Sequence, residues 1–313
     1  MKERADSDGF ILVDKPEGWS SFDVVRWVRK ALRGARVGHA GTLDPFATGL
    51  LILLVGRATR LMQYLDDYRK SYQGIMHLGI RTNTCDGTGE VLDEVPMERV
   101  EALTEEELIA QMGRWIGEIE QIPPEYSAVK IKGEPAYRLA RRGETPELDA
   151  RDVTIWSLDL ERWEPPQLRF SADVGTGTYL RALARDIGDA LGVGAHLSRL
   201  RRTHIGPFDV EDAFPLERPE DQGYVREWIR PMADLFGPTT RVEVTAAQAR
   251  RITHGNDLRL PAETVRYAAE QSHVGAICRG ELVAMGRLIV VGSEGLFQPR
   301  TVVGDPPGGA GPA

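Results

Sequence analysis

The chain has 313 residues, of which 42% are hydrophobic and 27% charged, a composition that fits a globular protein of one large or two unequal domains. Its longest apolar run, residues 49 to 56, is far below the roughly 20 residues that cross a bilayer, and its N-terminus lacks a signal-peptide pattern, so we expect a cytoplasmic protein without membrane segments. The net charge of −8 argues at first sight against nucleic acid, and two distant cysteines, Cys85 and Cys278, argue against a disulfide framework or a zinc site.

The first part of the chain alternates short strands and helices. The segment GFILVDKPEGWSS predicts a strand, a Lys-Pro turn and a helix from Phe22 to Leu32 that is capped by Ser21. GLLILLVG has the length and flanking glycines of a buried strand, ATRLMQYL predicts a helix, and KSYQGIMHLGIRT alternates as a strand does. TEEELIAQMGRWIGEIEQIPP predicts one long helix that begins with a capping box, Thr104 and Glu107, and stops before proline.

The second part predicts more strands and a domain boundary. DVTIWSLDLERWE and QLRFSADVGTG indicate antiparallel strands, and a helix should run from Tyr179 to Leu191 with Gly192 after its end. Proline and charge density rise between residues 214 and 238. After this stretch, TRVEVTAAQARRITHG predicts a short strand and a helix with a capping box, Thr245 and Gln248. We therefore predict a large α+β domain over residues 1–237, a small mostly-β module over residues 238–304 and a disordered tail over residues 305–313.

The charges are distributed unevenly along the chain. Residues 84 to 120 hold eleven acidic and two basic side chains, which leaves the rest of the chain close to neutral. Basic residues cluster within that remainder, at residues 20–36, 130–142 and 199–202. Each cluster alone fits a solvated helix face, but the three together favour a polyanionic partner such as a phosphate backbone.

The loop GHAGTLDPFATG places Asp44 before a proline. Turns and helix caps are the commoner roles of such an Asp-Pro pair. Small residues on both sides, at Gly38, Ala40, Gly41 and Gly49, remove side-chain bulk and would let a ligand approach the backbone. Asp44 is therefore a candidate for a reactive carboxylate, with a simple turn as the alternative.

Arg181, in GTGTYLRALARDIG, lies in the first turn of its predicted helix. A cation there opposes the helix dipole by roughly 0.3–1 kcal/mol, so an anionic partner is expected. Gly175 and Gly177 just before it indicate close backbone approach. The partner could be a carboxylate, a phosphate or both; a surface arginine, or a pair with Asp186, is the alternative.

Six segments occur in the order and approximate spacing of one enzyme family: DKPEGWSSFDVV, GHAGTLDPFATGLL, KSYQG, YSAVKIKGEPAYRLAR, GTYLRALARDIG and GAHLSRLRR. The chain resembles the TruB family, whose bacterial members convert uridine 55 in the T-arm of tRNA to pseudouridine. The resemblance runs from about Phe10 to Phe208, and the GTLDP-x-A-T-G loop is its most specific part. The last module resembles, more loosely, an RNA-binding PUA domain.

The resemblance implies roles for eight residues. Asp44 would be the catalytic nucleophile or base, Arg181 the arginine that pairs with it, and Tyr72 the ring that stacks on the flipped base. The remaining implied contacts with the RNA are His39 near the extruded nucleotide and, around the uracil and phosphate pocket, Lys15, Tyr179, Lys130 and Leu200. The chain departs from the family pattern at Ala40 and Asn83, and the second departure leaves the RNA contact of its loop open.

The resemblance also implies chemistry and fold. Converting uridine to pseudouridine remakes an N-glycosidic bond to carbon without gain or loss of atoms, so we expect neither metal nor redox cofactor. A base inside a folded arm must first be flipped out. The implied fold is a mixed, largely antiparallel central sheet flanked by helices, with a cleft across its middle, followed by the PUA module. We expect a monomer that binds the T-arm of tRNA.

Three other functions remain open at this stage. A tRNA-folding chaperone would bind RNA without chemistry, although the presence of both Asp44 and Arg181 argues for activity. A carboxylate-dependent glycosidase would need a second carboxylate, and no other acidic residue stands in an equally suggestive loop. A guide-RNA-dependent relative would share the same motifs, but the chain lacks a long basic tail.

Overall fold

The computed structural model describes residues 8–127, 129–131, 133–144, 146, 148–216, 224–237, 240–261, 271–291 and 294–304. The predicted disordered tail, residues 305–313, lies outside these ranges. Within them, no helix is both long enough and apolar enough to cross a membrane. Both cysteines are buried and unpaired.

Six α-helices lie within the described residues, and side-chain caps fix the starts of three of them. Ser20 and Asp23 form a capping box at the first helix, so the predicted cap at Ser21 is wrong by one residue. The capping boxes predicted at Thr104 and Thr245 are present. The helices are α1 (Ser21–Ala31), α2 (Met97–Glu101), α3 (Glu105–Met112), α4 (Ala136–Arg141), α5 (Leu180–Ala190) and α6 (Ala246–Thr253).

The strands are numbered along the chain, and most of them join one large sheet. Those that precede residue 216 are β1 (Gly9–Lys15), β2 (Val37–Ala40), β3 (Thr48–Val55), β4 (Lys70–Leu78), β5 (Ile80–Thr82), β6 (Val91–Glu94), β7 (Gly117–Gln121), β8 (Lys130–Ile131), β9 (Glu134–Pro135), β10 (Arg151–Glu164), β11 (Gln167–Val174), β12 (Ala195–Ile205), β13 (Phe208–Asp209) and β14 (Phe214–Pro215). The later strands are β15 (Arg241–Glu243), β16 (Leu258–Leu260), β17 (Gln271–Cys278), β18 (Glu281–Val291) and β19 (Glu294–Val302).

The large sheet is mixed but largely antiparallel, as predicted. Its strand order is β14-β1-β3-β12-β4-β11-β10-β7, with β2 paired to β3 and β13 paired to β12. Among the described strand pairs of this sheet, only β1–β14 and β3–β12 run parallel. An apolar cluster that includes Phe170 and Met76 from the sheet and Leu108 and Leu183 from α3 and α5 covers one face.

The parallel pair at the centre of the sheet depends on a glycine. Gly49 of β3 has φ +102, and a Cβ atom there would lie 2.2 Å from the carbonyl oxygen of Arg202 on β12. Only glycine allows this approach. It joins the strand that follows the Asp44 loop to the strand that carries the 199–202 arginine cluster.

Two predicted helices differ in the structure. The long helix predicted after Thr104 ends at Met112, and residues 117–121 form β7 instead, which pairs with β10 at the sheet edge. Gly117 has φ +112, which lies outside the right-handed helix and would strain any residue other than glycine, so the helix cannot continue through it. The segment that it begins alternates in burial, as a strand does. ATRLMQYL belongs to a 3₁₀ helix, Gly56–Tyr64.

The C-terminal module is a second sheet with its own core. Its strand order is β15-β17-β18-β19-β16, and α6 packs its buried Ala249 and Ile252 into the same apolar cluster as Phe297. Leu282 and Met285 of this module share a further cluster with Leu61 of the large domain. The predicted mostly-β module is therefore present and packed on the large domain, while its boundary at residues 237 and 238 stays a prediction.

Candidate active site

The Asp44 loop forms one wall of a cavity of about 720 Å³. The opposite walls come from β4, from the start of α5 and from the segment that contains Asp86. Ligand pockets in proteins commonly have volumes of 300–1,000 Å³, so the cavity is large enough for a small ring system. Six of the eight predicted site residues line it: His39, Asp44, Tyr72, Tyr179, Arg181 and Leu200.

Arg181 holds Asp44 through two hydrogen bonds. Its Nε donates to Oδ2 at 2.8 Å and its Nη2 donates to Oδ1 at 2.9 Å. The arginine side chain is only 4% exposed, whereas the aspartate side chain is 33% exposed. The bidentate partner fixes the plane of the carboxylate, while its outer side stays open to the cavity.

The remaining donors of Arg181 are used by the loops around it. Nη1 donates to the carbonyl oxygen of Thr84 and Nη2 to that of Tyr126, each at 2.9 Å. Tyr179 precedes the helix and gives no side-chain cap, but Gln121 of β7 accepts from its backbone N–H at 2.8 Å. The cation that opposes the dipole of α5 is thus held by carboxylate and carbonyl oxygens.

Asp86 is a second carboxylate at this arginine, and the sequence analysis missed it. Its Oδ2 lies 3.7 Å from Nη1 of Arg181, and its side chain is 8% exposed. Thr84 and Thr88 donate their hydroxyls to its Oδ1 at 2.8 and 2.6 Å. Asn83, the departure from the family pattern, accepts from the backbone N–H of Glu90 at 3.0 Å and so closes the same loop. The local signal for this residue is an aspartate among threonines and glycines, but it lies in an acidic stretch in which single carboxylates do not stand out.

Lys15 supports the Asp44 loop from behind and does not line the cavity, contrary to the prediction. Its fully buried ammonium donates to three backbone carbonyls, those of Pro16 (2.9 Å), Trp19 (2.6 Å) and Pro45 (3.2 Å). Burial lowers the pKa of this amine to about 8, although Asp44 nearby acts in the opposite direction. Lys15 therefore holds the residue that follows Asp44.

Ser21 holds the other side of the same loop. Its hydroxyl accepts from the backbone N–H of Leu43 at 2.8 Å and donates to the Leu43 carbonyl at 3.2 Å. This reciprocal pair explains why Ser20, and not Ser21, caps α1. Asp44 is thus fixed between Leu43, which is bound to the start of α1, and Pro45, which is bound to Lys15.

Tyr72 faces the cavity from β4 and contacts a buried arginine. Nη1 of Arg202 lies 3.4 Å from the tyrosine hydroxyl, and the arginine is 1% exposed. Arg202 also donates to the carbonyls of Leu50 (2.7 Å) and Gly41 (3.2 Å). Its neighbour Arg201 points to the other side of β12 and forms a bidentate pair with Asp14. The sequence analysis recognised both arginines only as a charge cluster.

Of the other four predicted site residues, His39, Tyr179 and Leu200 line the cavity and Lys130 does not. Burial lowers the pKa of His39, with Arg202 adding to the effect, so its imidazole is neutral at pH 7. Burial raises the pKa of Tyr179, which keeps its phenol protonated. Leu200 supplies an apolar surface, but Lys130 lies exposed in the β8–β9 hairpin, outside the cavity lining. Among the described residues, no group of histidine, cysteine and acidic side chains could hold a metal ion.

The sequence matches two family models along the large domain. Residues 29–180 match the N-terminal domain of the TruB family of pseudouridylate synthases, and residues 181–236 match the C-terminal domain of tRNA pseudouridylate synthase B. The tRNA pseudouridine synthase B of Ralstonia nicotianae is 41% identical, over 96% of this chain and 95% of that relative. The enzyme of the same name from Thermobifida fusca is 44% identical, over 80% of this chain and 86% of that relative.

Solved structures share the fold over nearly the whole chain. A protein in an H/ACA ribonucleoprotein bound to a substrate RNA containing 2′-deoxyuridine is 27% identical, with a TM-score of 0.71 over 96% of this chain and 86% of its own. A chain of a Cbf5-Nop10-Gar1 complex is 30% identical, with a TM-score of 0.70 over 95% and 85%. The fold, the family models and the relatives define a pseudouridine synthase. The chain belongs to the TruB family.

Proposed function

We propose that this protein converts uridine 55 in the T-arm of tRNA to pseudouridine, with Asp44 as the group that acts on the target nucleotide. The observation that carries the proposal is the Asp44 carboxylate, which is held by a buried arginine and open to a cavity lined by Tyr72. The curated relatives named tRNA pseudouridine synthase B support tRNA as the substrate.

The net reaction exchanges one bond of the ribose for another. The bond from C1′ to N1 of uracil breaks, the bond from C1′ to C5 forms, and the proton lost from C5 is balanced by one gained at N1. A carboxylate is suited to this work because it can attack carbon or accept a proton. Arg181 orients the Asp44 carboxylate for either role through two hydrogen bonds.

The cavity supplies the binding surface for the flipped base. Base flipping costs a few kcal/mol, and stacking on an aromatic side chain returns roughly 1–3 kcal/mol per base. Tyr72 offers that face, with Leu200 as further apolar surface. The neutral imidazole of His39 and the protonated phenol of Tyr179 offer polar contacts to the nucleotide. Lys130, which lies outside the cavity, would reach only the RNA backbone.

We further propose a division of labour between the two parts of the chain. Residues 1–237 carry the chemistry, and residues 238–304 act as a PUA-like module that adds RNA affinity. The separate sheet and apolar core of the C-terminal module support this division. We expect a cytoplasmic monomer.

The test is a site-resolved pseudouridine map of unmodified tRNA incubated with the protein. The proposal predicts modification confined to uridine 55 in the T-loop, with an RNA backbone free of abasic sites. Modification in another arm of the tRNA would overturn the assignment of uridine 55 as the target, and an abasic product would indicate a glycosidase. A tRNA that gains no pseudouridine yet binds tightly would favour the chaperone function.

A further inference from the structure

Phe22 is a large apolar side chain that lines the cavity and is nevertheless 64% exposed. It lies in the first turn of α1, beside the Asp44 loop. We propose that Phe22 is a stacking surface for an unpaired nucleobase that neighbours the target nucleotide in the RNA. The inference rests on the proposed function, because it takes the cavity to hold a flipped base.

The position of Phe22 relative to Asp44 is fixed by hydrogen bonds on both sides. The capping box of Ser20 and Asp23 fixes the start of α1, with Ser20 accepting from the Asp23 N–H at 3.1 Å. Ser21 is bonded in both directions to Leu43, the residue before Asp44. Phe22 and the reactive carboxylate therefore belong to one rigid rim, and a base beside the target would meet the ring at a constant distance.

The surroundings of the ring match those of a surface that binds single-stranded RNA. The guanidinium carbon of Arg26 lies 5.6 Å from the ring centroid, and Arg29 and Lys30 follow on the same helix. Arg26 is paired with Asp23 and is 68% exposed. Aromatic faces next to cations bind unpaired bases through stacking, while the cations attract the phosphates.

Tyr72 cannot serve the neighbouring base as well. It is 9% exposed and faces the interior of the cavity, where the flipped uracil would cover it. Flipping removes the target from its stack and leaves the adjacent bases with an uncovered face. The exposed ring at the rim fits such a base, and covering it would also remove apolar surface from water.

The experiment measures the dissociation constant of an RNA hairpin that contains the target loop. Phe22→Ala should raise it by about tenfold, within the range for loss of one aromatic-base stack. Phe22→Trp should restore binding, whereas Phe22→Leu, which is apolar but has no ring, should not. Thermal melts of each variant show that the fold is intact, which is expected for an exposed position.

Trp156 provides the matched control. It is also exposed, at 47%, and also carries an arginine over its ring, since the guanidinium carbon of Arg69 lies 3.9 Å from the centroid. It is not part of the cavity lining. Trp156→Ala should therefore leave the dissociation constant unchanged.

Abasic substitutions identify the base that stacks on Phe22. At one position next to the target, loss of the base should weaken binding to the wild-type protein by the same factor as Phe22→Ala does. The same abasic RNA should bind Phe22→Ala no more weakly than the intact RNA does. Wild-type affinity of Phe22→Ala, full rescue by leucine, or additive effects at every abasic position would each overturn the inference. Pseudouridine mapping on the same hairpin with the wild-type protein tests the proposed function separately.

Discussion

Arg202 lies under Tyr72, with its Nη1 3.4 Å from the tyrosine hydroxyl. The same guanidinium donates to Gly41 in the Asp44 loop and to Leu50 on β3. One buried cation on β12 thus connects the aromatic wall of the cavity to the loop that carries the candidate carboxylate. Because the arginine donates to the hydroxyl oxygen, the hydroxyl proton is left to point elsewhere.

We predict that Arg202→Lys lowers turnover by roughly tenfold to a hundredfold, the effect of losing one hydrogen bond to a charged group. Lysine keeps the charge but cannot reach three acceptors in a fixed plane. Single-turnover rates of pseudouridine formation measure the loss, and RNA affinity should change little. Arg201→Lys, which alters the pair with Asp14 outside the cavity lining, is the control. Equal losses in both variants would contradict a role at Tyr72.

Lys15 predicts a pH dependence of stability. Its pKa is lowered to about 8 by burial, whereas the ordinary value, which applies to the unfolded chain, is 10.5. Between these values the unfolded chain binds more protons, so the contribution of Lys15 to the free energy of unfolding rises with pH from about 8 to 10.5. Urea unfolding at several pH values checks this window.

Lys15→Met is the matched variant for that experiment, since it keeps the length of the buried side chain and has no titrating group. The difference in unfolding free energy between wild type and variant should be constant below pH 8 and should shift in favour of wild type above it. A difference that does not change from pH 7 to pH 10.5 would contradict the buried, titrating amine.

Gly49→Ala should destabilise the protein by about 3 kcal/mol, because it combines a left-handed backbone with overpacking. The added Cβ would lie 2.2 Å from the carbonyl oxygen of Arg202, which cannot move without opening the β3–β12 pair. Gly113→Ala is the control, since its Cβ would meet nothing within 4 Å. Denaturant unfolding compares the two, and equal stability would contradict the close approach.

Removal of residues 238–313 should weaken RNA affinity and leave measurable turnover on tRNA. The module contributes Leu282 and Met285 to a cluster with Leu61, so the truncated chain also exposes apolar surface and should melt at a lower temperature. Binding and turnover are measured below that temperature. Complete loss of turnover in a folded truncation would show that the module shapes the active site itself.

Local signals in the sequence predicted much of the fold. Capping residues at Thr104 and Thr245 and the apolar run of β3 are read from a few neighbouring positions, and the structure has each of them. The segment before Pro123 was predicted wrongly because β7 gains its hydrogen bonds from β10, about 30 residues further along the chain. Pairing at that distance leaves little trace in the segment itself.

The candidate site was predictable only in part for a related reason. Asp44 stands in a loop of small residues and Arg181 at the start of a helix, and each of these contexts indicates that the side chain has a partner. Asp86 and Arg202 stand among other residues of the same charge, which is the pattern of a solvated surface. Their burial follows from the three-dimensional arrangement of β4, β12 and the residue 84–88 loop.

Asp44→Asn tests the central claim most directly. Asparagine is close in size and can still accept from Arg181, so the fold and the cavity should persist. Asp66→Asn, which changes another carboxylate of the cavity lining, is the control. We predict tRNA affinity within a few-fold of wild type, no detectable pseudouridine from Asp44→Asn, and turnover in Asp66→Asn. Pseudouridine formation by Asp44→Asn at a rate near wild type would contradict the account.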